Sequence, residues 1–573
     1  MKPSDKKTES GITRRDALKY SGLALGGMVI GGNAIDAFAS KKAPPIDDCS
    51  PSGCPTGTCD YPPDEQDTQQ YTYFSHLEPI SFIDETTYEY IPPASNEMRI
   101  TFMGSTIPPE LRRAQNMMSI FVEVGDACGE GDRFVFDCGS GVCTNYNSMG
   151  VSFGKMDKIF LTHLHGDHMS DLTHIYCFGA VSNRKSPLFV WGPAPSRVES
   201  PITPRCLYDD GANAFCRNLQ EARGPGSSSM KIPRPPGRLY DDGVNAFCRN
   251  LREACRWHSE SQSFISTSYK GYEPPTRRSW GLPCNPRPVS DDPPDDGYAM
   301  IPIELDWRKY GRREGDNVAY HNRKSGVKIT HFPVIHTRKG SIGYKLEWNG
   351  LSMVYTGDTK PEYHSIAQAK GVDVFIHEMN PPAEVWTFKN LGLTAPPEDN
   401  ESFNNNVDYT KMVQNSSHTT QGAFGYLLSQ IDPLPRLTVA THFPVADDMV
   451  ECALNSVQAH FGEGEIVWDP YEPNRSNMIW SFDLMVLRVT ADEITQHQGV
   501  VSDFAFQAPT SLPDNLNPPK YWTFQVDEDG NLVYDEYGNP IKIGDPYAQI
   551  DTSTEIPSCD DGEGNCNYRE DGY

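Results

Sequence analysis

Short runs of β-branched and aromatic residues, most of them closed by Gly or Asp, alternate with polar stretches along the middle of this chain. Residues 99–104, 118–124 and 133–139 are three such runs and predict successive strands of one sheet. Residues 158–162 predict a fourth, which delivers a cluster of histidines to the loop at its C-terminal end, where sheet-based sites usually gather. A second β-rich half begins at Ile301 and continues through 328–330, 343–346, 352–355 and 372–376. A helical pattern from Thr420 to about Gln430 then precedes another strand over 437–441. Residues 41–96 show no sustained periodicity and predict an extended arm laid over the core.

The pattern breaks between the two halves. Residues 207–219 recur 32 positions later as 239–251, with Val244 in place of Ala212. Two copies are too few to stack into a solenoid, so they are read as a tandem duplication inside a surface insertion over 203–300. The insertion is expected to roof the active site and to choose the substrate.

Composition changes the picture in three ways. With 47 Gly and 47 Pro among 573 residues, loops should be abundant. A formal net charge of −27 repels polyanions and argues against nucleic acid as a partner. Fifteen cysteines point to disulfides if the chain is exported, with local staples expected at Cys49, Cys54 and Cys59 and at Cys559 and Cys566.

Export itself is suggested by the first 39 residues. Thr13-Arg14-Arg15-Asp16-Ala17-Leu18-Lys19 is a twin-arginine pattern, followed by a short Gly-rich apolar stretch and the small-x-small site Ala37-Phe38-Ala39. The apolar stretch is too short to span a bilayer of about 30 Å. A periplasmic or secreted protein follows, with the twin-arginine translocase as its partner during export and no stable membrane anchor after cleavage.

The histidine cluster is His163-Leu164-His165-Gly166-Asp167-His168. A catalytic zinc site needs imidazole nitrogens and carboxylates and must keep one position open. On a tight loop, His163 and His165 can face one metal while Asp167 and His168 turn toward a second. His174, His331 and His364 have no ligand spacing and read as packing or surface residues. Asp137 and Gly139 read as shaping a turn beneath the site.

The sequence Thr162 to His168 at the end of an apolar strand resembles the metallo-β-lactamase superfamily, and the later motifs resemble its ribonuclease Z-like and arylsulfatase-like branch. The resemblance implies a four-layer αββα sandwich of the α/β (α+β) class and two Zn2+ ions, with Mn2+ or Fe2+ as alternatives. The first ion would be held by His163, His165, His336 and Asp358, and the second by Asp167, His168, His442 and Asp358. A hydroxide bridging the metals would be the nucleophile, with Asp167 among the catalytic residues. Glu378 in His377-Glu378-Met379 and His418 in Ser417-His418-Thr419-Thr420 would form a proton relay, although Met379 and Asn380 depart from the pattern of relatives. The implied plan is a signal over 1–39, an arm over 40–96, the catalytic domain over 97–490 and a C-terminal extension over 491–573.

Ribonuclease Z inserts a basic arm between its third zinc histidine and the bridging aspartate. His336 and Asp358 are only 22 positions apart, which leaves no room for one. The expected substrate is therefore a small anionic ester, either a phosphodiester or an aryl sulfate; Arg256, Arg277, Arg278, Arg312 and Arg313 suit anion contacts, though most of them read better as solvated surface charges. A lactone or carboxylic ester hydrolase and a non-catalytic metal-binding protein are the alternatives. A redox di-iron protein is disfavoured, because that branch places Glu where His165 stands and adds a flavin domain. A homodimer is left open.

Overall fold

The computed structural model describes residues 77–108, 115–125, 131–198, 239–262, 297–391, 400–445, 450–462, 464–468, 475–501 and 522–544, apart from a few single positions, together with Leu393 and Pro397. The chain divides into units Met1–Asp67 and Thr68–Tyr573, and only the second contains described residues. The signal, the first copy of the duplication, both cysteine groups, Arg277 and Arg278 lie outside them.

Two mixed sheets form the second unit. One has nine strands in the spatial order Glu78–Ile80, Ile494–Gly499, Met485–Val489, Met98–Gly104, Ser119–Val124, Arg133–Phe136, Lys158–Phe160, Leu188–Pro193 and Met300–Leu305. The other has seven: Met478–Trp480, Leu437–Thr441, Val374–Glu378, Leu351–Tyr355, Ile342–Trp348, Lys328–Pro333 and Val318–His321. The period of two in the sequence is what joins them. Ile100, Phe102, Ile120, Val122, Phe134, Phe136 and Phe160 point to a core shared with Ile329, Tyr344, Leu346, Met353 and Tyr355. The intervening Met103, Phe121, Val135 and Ile159 face a second core with helices Val142–Ser148, Leu172–Gly179 and Val244–Ala254. On the other flank, helices Gln421–Ser429 and Val450–Phe461 add Phe424, Leu427 and Val457 to the shared core. The result is the αββα layering.

The first sheet reaches past both ends of the span 97–490. Glu78–Ile80 pairs in parallel with His497–Gly499, and Ile494–Gly499 pairs antiparallel with Met485–Val489. These edge strands are short or polar, so they carry little hydrophobic alternation to read. A separate two-stranded sheet joins Trp522–Phe524 to Lys542–Gly544. Among the described residues, no helix is long and apolar enough to cross a membrane.

What positions the site is the polarity of the strands. Arg133–Phe136, Lys158–Phe160, Lys328–Pro333, Leu351–Tyr355, Val374–Glu378 and Leu437–Thr441 all end, in chain direction, at or a few residues before a candidate side chain. Between His336 and Asp358 the chain makes one tight hairpin, turning at Asn349 and Gly350 with φ of 50° and 80°. Asn-Gly is the pair such a turn prefers.

Candidate metal centre

Three imidazoles converge first. His163 Nε2 and His336 Nε2 each lie 3.0 Å from His165 Nδ1, and both are 3.8 Å from Asp358 Oδ2. On the other side of Asp358, His168 Nε2 lies 3.2 Å from its Oδ1 and 3.3 Å from Asp167 Oδ2. His442 Nε2 is 3.3 Å from Asp167 Oδ2 and 3.6 Å from Asp358 Oδ2. Zinc bonds of about 2.0–2.1 Å at tetrahedral angles set ligand atoms roughly 3.3 Å apart, so both groups have the size of a metal's coordination shell. Each offers one ligand atom per residue, all within 4.8 Å of one another, and Asp358 belongs to both.

The donor set fits cations by its chemistry as well. His168 Nε2 and Asp358 Oδ1 are buried without a hydrogen-bond partner, an arrangement that costs free energy unless something positive sits between them. Burial holds His163 well below the usual histidine range, lowers His165 and brings His336 down to about 3, so their lone pairs are free to coordinate. Asp358 and Asp167 are held well below the carboxylate range; burial pushes each up and is outweighed, first by His168. His168 itself is raised, because Asp358, Asp167 and Asp137 together outweigh its burial. This surplus of anionic charge calls for a cation, and a metal ion answers it as a proton would.

Behind the convergent atoms lies a frame that fixes each ring. Asp137, with φ of 56°, accepts from Thr162 N on one oxygen and from Thr162 Oγ1, His168 Nδ1 and Tyr355 OH on the other, all at 2.8 Å. Since Thr162 Oγ1 donates to Asp137, it can accept from His163 Nδ1 at 3.1 Å. One carboxylate thus sets the tautomer of two candidate ligands. His336 Nδ1 donates to Ser417 O at 2.9 Å. Gly357, with φ of 60°, passes so near Thr162 that a Cβ would stand 2.6 Å from its side chain, and only glycine can bring Asp358 in.

Glu378 and His418 meet beside this centre. His418 follows helix Glu401–Ser417, and its Nδ1 lies 2.8 and 3.0 Å from the two oxygens of Glu378. Thr359 N donates to Glu378 Oε1 and Asn380 Nδ2 to Oε2, each at 2.5 Å. Asn380 therefore supports the pair, where the sequence alone suggested a weakening. Burial, then Asp358, raises Glu378, and burial lowers His418, so both groups are shifted toward their uncharged forms. The His418 ring stacks 5.8 Å from that of His442 and lies 4.9 Å from that of His336, beside both groups.

A cavity of about 450 Å³ opens next to His163, His165 and His336. Tyr240, Ala246, Phe247 and Asn250, from the second copy of the duplication, line it together with Arg338 and Lys339. Arg338 is bonded to Asp242 and lies 4.4 Å over the ring of Tyr240, which ties the insertion to the loop after His336. Arg256, Arg312 and Arg313 do not line this cavity: Arg256 pairs with Glu253, and the other two are exposed on a turn. Arg338 and Lys339 are the cations the sequence offered no reason to single out. His331 is buried in its strand and brought down to about 4 by burial, away from the centre.

No protein-family model matches the chain. Ribonuclease BN of Enterobacter sp. (strain 638) is 34% identical over 104 residues, 18% of this chain and 32% of that protein. Ribonuclease Z of Natronomonas pharaonis is 35% identical over 118 residues, covering 20% of this chain and 34% of the relative. The chain thus spans about a third of the length of the curated relatives it matches. Among solved structures, the metallo-β-lactamase fold protein YhfI from Bacillus subtilis aligns with 69% of this chain and 100% of its own, at 12% identity and a TM-score of 0.35.

Proposed function

We propose that the chain is a member of the metallo-β-lactamase superfamily, in its ribonuclease Z-like branch, and a metal-dependent hydrolase of small anionic esters, phosphodiesters first and aryl sulfates next. The observation that carries this reading is the meeting of seven side chains in two four-residue groups that share Asp358, with Glu378 and His418 alongside. Two divalent ions, when bound there, activate water and neutralise charge gathering on the ester oxygens. His163, His165, His336 and Asp358 would hold one, and Asp167, His168, His442 and Asp358 the other.

The chain's own contribution is orientation and proton transfer. Asp137 and Ser417 O keep the ring nitrogens of His163, His168 and His336 turned inward. Glu378 fixes His418 through Nδ1, which leaves Nε2 to protonate the departing oxygen. The cavity walled by Tyr240, Phe247 and Arg338 would receive the leaving group. The tight hairpin between His336 and Asp358, the −27 charge and the twin-arginine pattern of Thr13 to Lys19 support a small substrate met outside the cytoplasm rather than RNA.

Initial rates of the zinc-loaded protein on a nitrophenyl phosphodiester and the matching nitrophenyl sulfate test the proposal, with Asp358→Ala as control. Cleavage of one ester and a silent control support it. Failure on both esters with two metals bound overturns it and favours a lactone or carboxylic ester.

A further inference from the structure

Two cysteines near the cavity take no part in the chemistry above. Cys177 lies on helix Leu172–Gly179, which follows directly on the short helix Gly166–Met169 that carries Asp167 and His168. Cys255 caps the C-terminal end of helix Val244–Ala254, whose Ala246, Phe247 and Asn250 wall the cavity. Both thiols are reduced in the structure, sit in one apolar cluster and lie within hydrogen-bonding reach of each other.

The contacts around them close the same junction. His258, one turn beyond Cys255, approaches Cys177 O at 3.1 Å through Nε2, and its ring lies 5.0 Å from that of Phe178. Ser259 Oγ reaches Tyr176 OH at 3.4 Å. The segments carrying the two thiols are therefore already docked against each other. At 7% and 8% exposure, both residues stand at the rim of the core rather than deep within it.

We propose that Cys177 and Cys255 form a disulfide that clamps the cavity-walling helix of the insertion to the helix following the histidine motif. The reaction is thiol–disulfide exchange with an external disulfide, either a small molecule or a protein. The Cys255 thiolate attacks one sulfur of that disulfide and releases its partner as a thiolate. The Cys177 thiolate then attacks Cys255 Sγ and displaces the remaining half. Two electrons pass to the external disulfide, which leaves as two thiols carrying the two protons. Cys255 suits the first step, because the hydrogen bond from Cys177 brings it down to about 7 despite its burial. The bond would also close a long loop enclosing most of the insertion, where a cross-link constrains the unfolded chain strongly.

The test uses the full chain, incubated with oxidised glutathione, blocked with an alkylating agent under denaturing conditions and digested without reductant. The expected result is one cross-linked peptide pair joining Cys177 to Cys255, with both lost from the alkylated pool. Recovery of the two as alkylated thiols, or bonded to other cysteines, overturns the assignment. Amide exchange separates a clamp from an idle cross-link: exchange over 244–254 should slow on oxidation in the native sequence and not in Cys255→Ser. Equal exchange in oxidised and reduced native protein would overturn the clamping role.

Discussion

The two candidate metal positions share Asp358 and differ in nearly everything around it. The outer group sets three histidines against one carboxylate, with His165 exposed and the cavity at its side. The inner group sets two histidines against two carboxylates; His168, Asp358 and His442 are buried, and the Asp167 side chain is 9% exposed. Its rings are also backed by carboxyl groups: His168 by Asp137, and His442 by Glu378, whose Oε2 lies 3.8 Å from Nδ1. A cation held by two carboxylates in a poorly solvated setting is bound more firmly than one held by a single carboxylate at an edge. The difference predicts firmer retention of a metal at the inner position and, on the proposed function, contact with substrate at the outer one.

The largest expected effect leaves both positions intact. His418→Ala should lower kcat by about 10²–10⁴, the scale of a lost general acid, while metal content stays unchanged. A fall in KM-normalised rate caused by metal loss would instead make His418 part of the metal frame. Next in size, Asp137→Asn should weaken metal binding by about 10–100-fold, as removal of a group supporting the ligands does. Competition with a chelator should show the inner ion affected most, since Asp137 bonds His168 directly and His163 only through Thr162. Equal weakening of both ions would break the comparison.

A smaller effect concerns the floor beneath His442. Asp483 is half-buried and accepts from Ser105 Oγ, Asn116 N and Asn145 Nδ2, while Ser105 O accepts from Phe443 N. Burial raises this carboxyl from 3.8 to about 7. The folded state therefore keeps a proton that the unfolded state releases near pH 4. The corresponding stability is full below about 4 and is lost as pH rises to about 7, with a slope of at most about 1.4 kcal/mol per pH unit. Denaturant unfolding of the native chain and Asp483→Asn across this range should show the slope in the first and its reduction in the second.

How much of this was legible depended on distance along the chain. The cluster 163–168 is contiguous and legible by itself, whereas His336, Asp358 and His442 are scattered along the chain and were reached only through the resemblance of the motifs around them. Asp137 was readable only as a turn residue, because the groups it holds lie 25, 31 and 218 positions away. Asn380 looked like a departure from the relay until its donor atom was seen against Glu378. Helix Glu401–Ser417, which ends in His418, escaped because its Asn- and Ser-rich sequence has low helix propensity and no clear apolar stripe. Arg338 had no motif, and its role at the cavity arises from packing against the insertion.

Metal content measured by mass spectrometry after extensive dialysis, followed by timed exposure to a chelator, tests the central claim most directly. Two equivalents of a divalent metal per chain should leave in two phases, with both phases absent in Asp358→Ala. A single equivalent in the native protein, or two that survive the loss of Asp358, would contradict a shared two-metal centre.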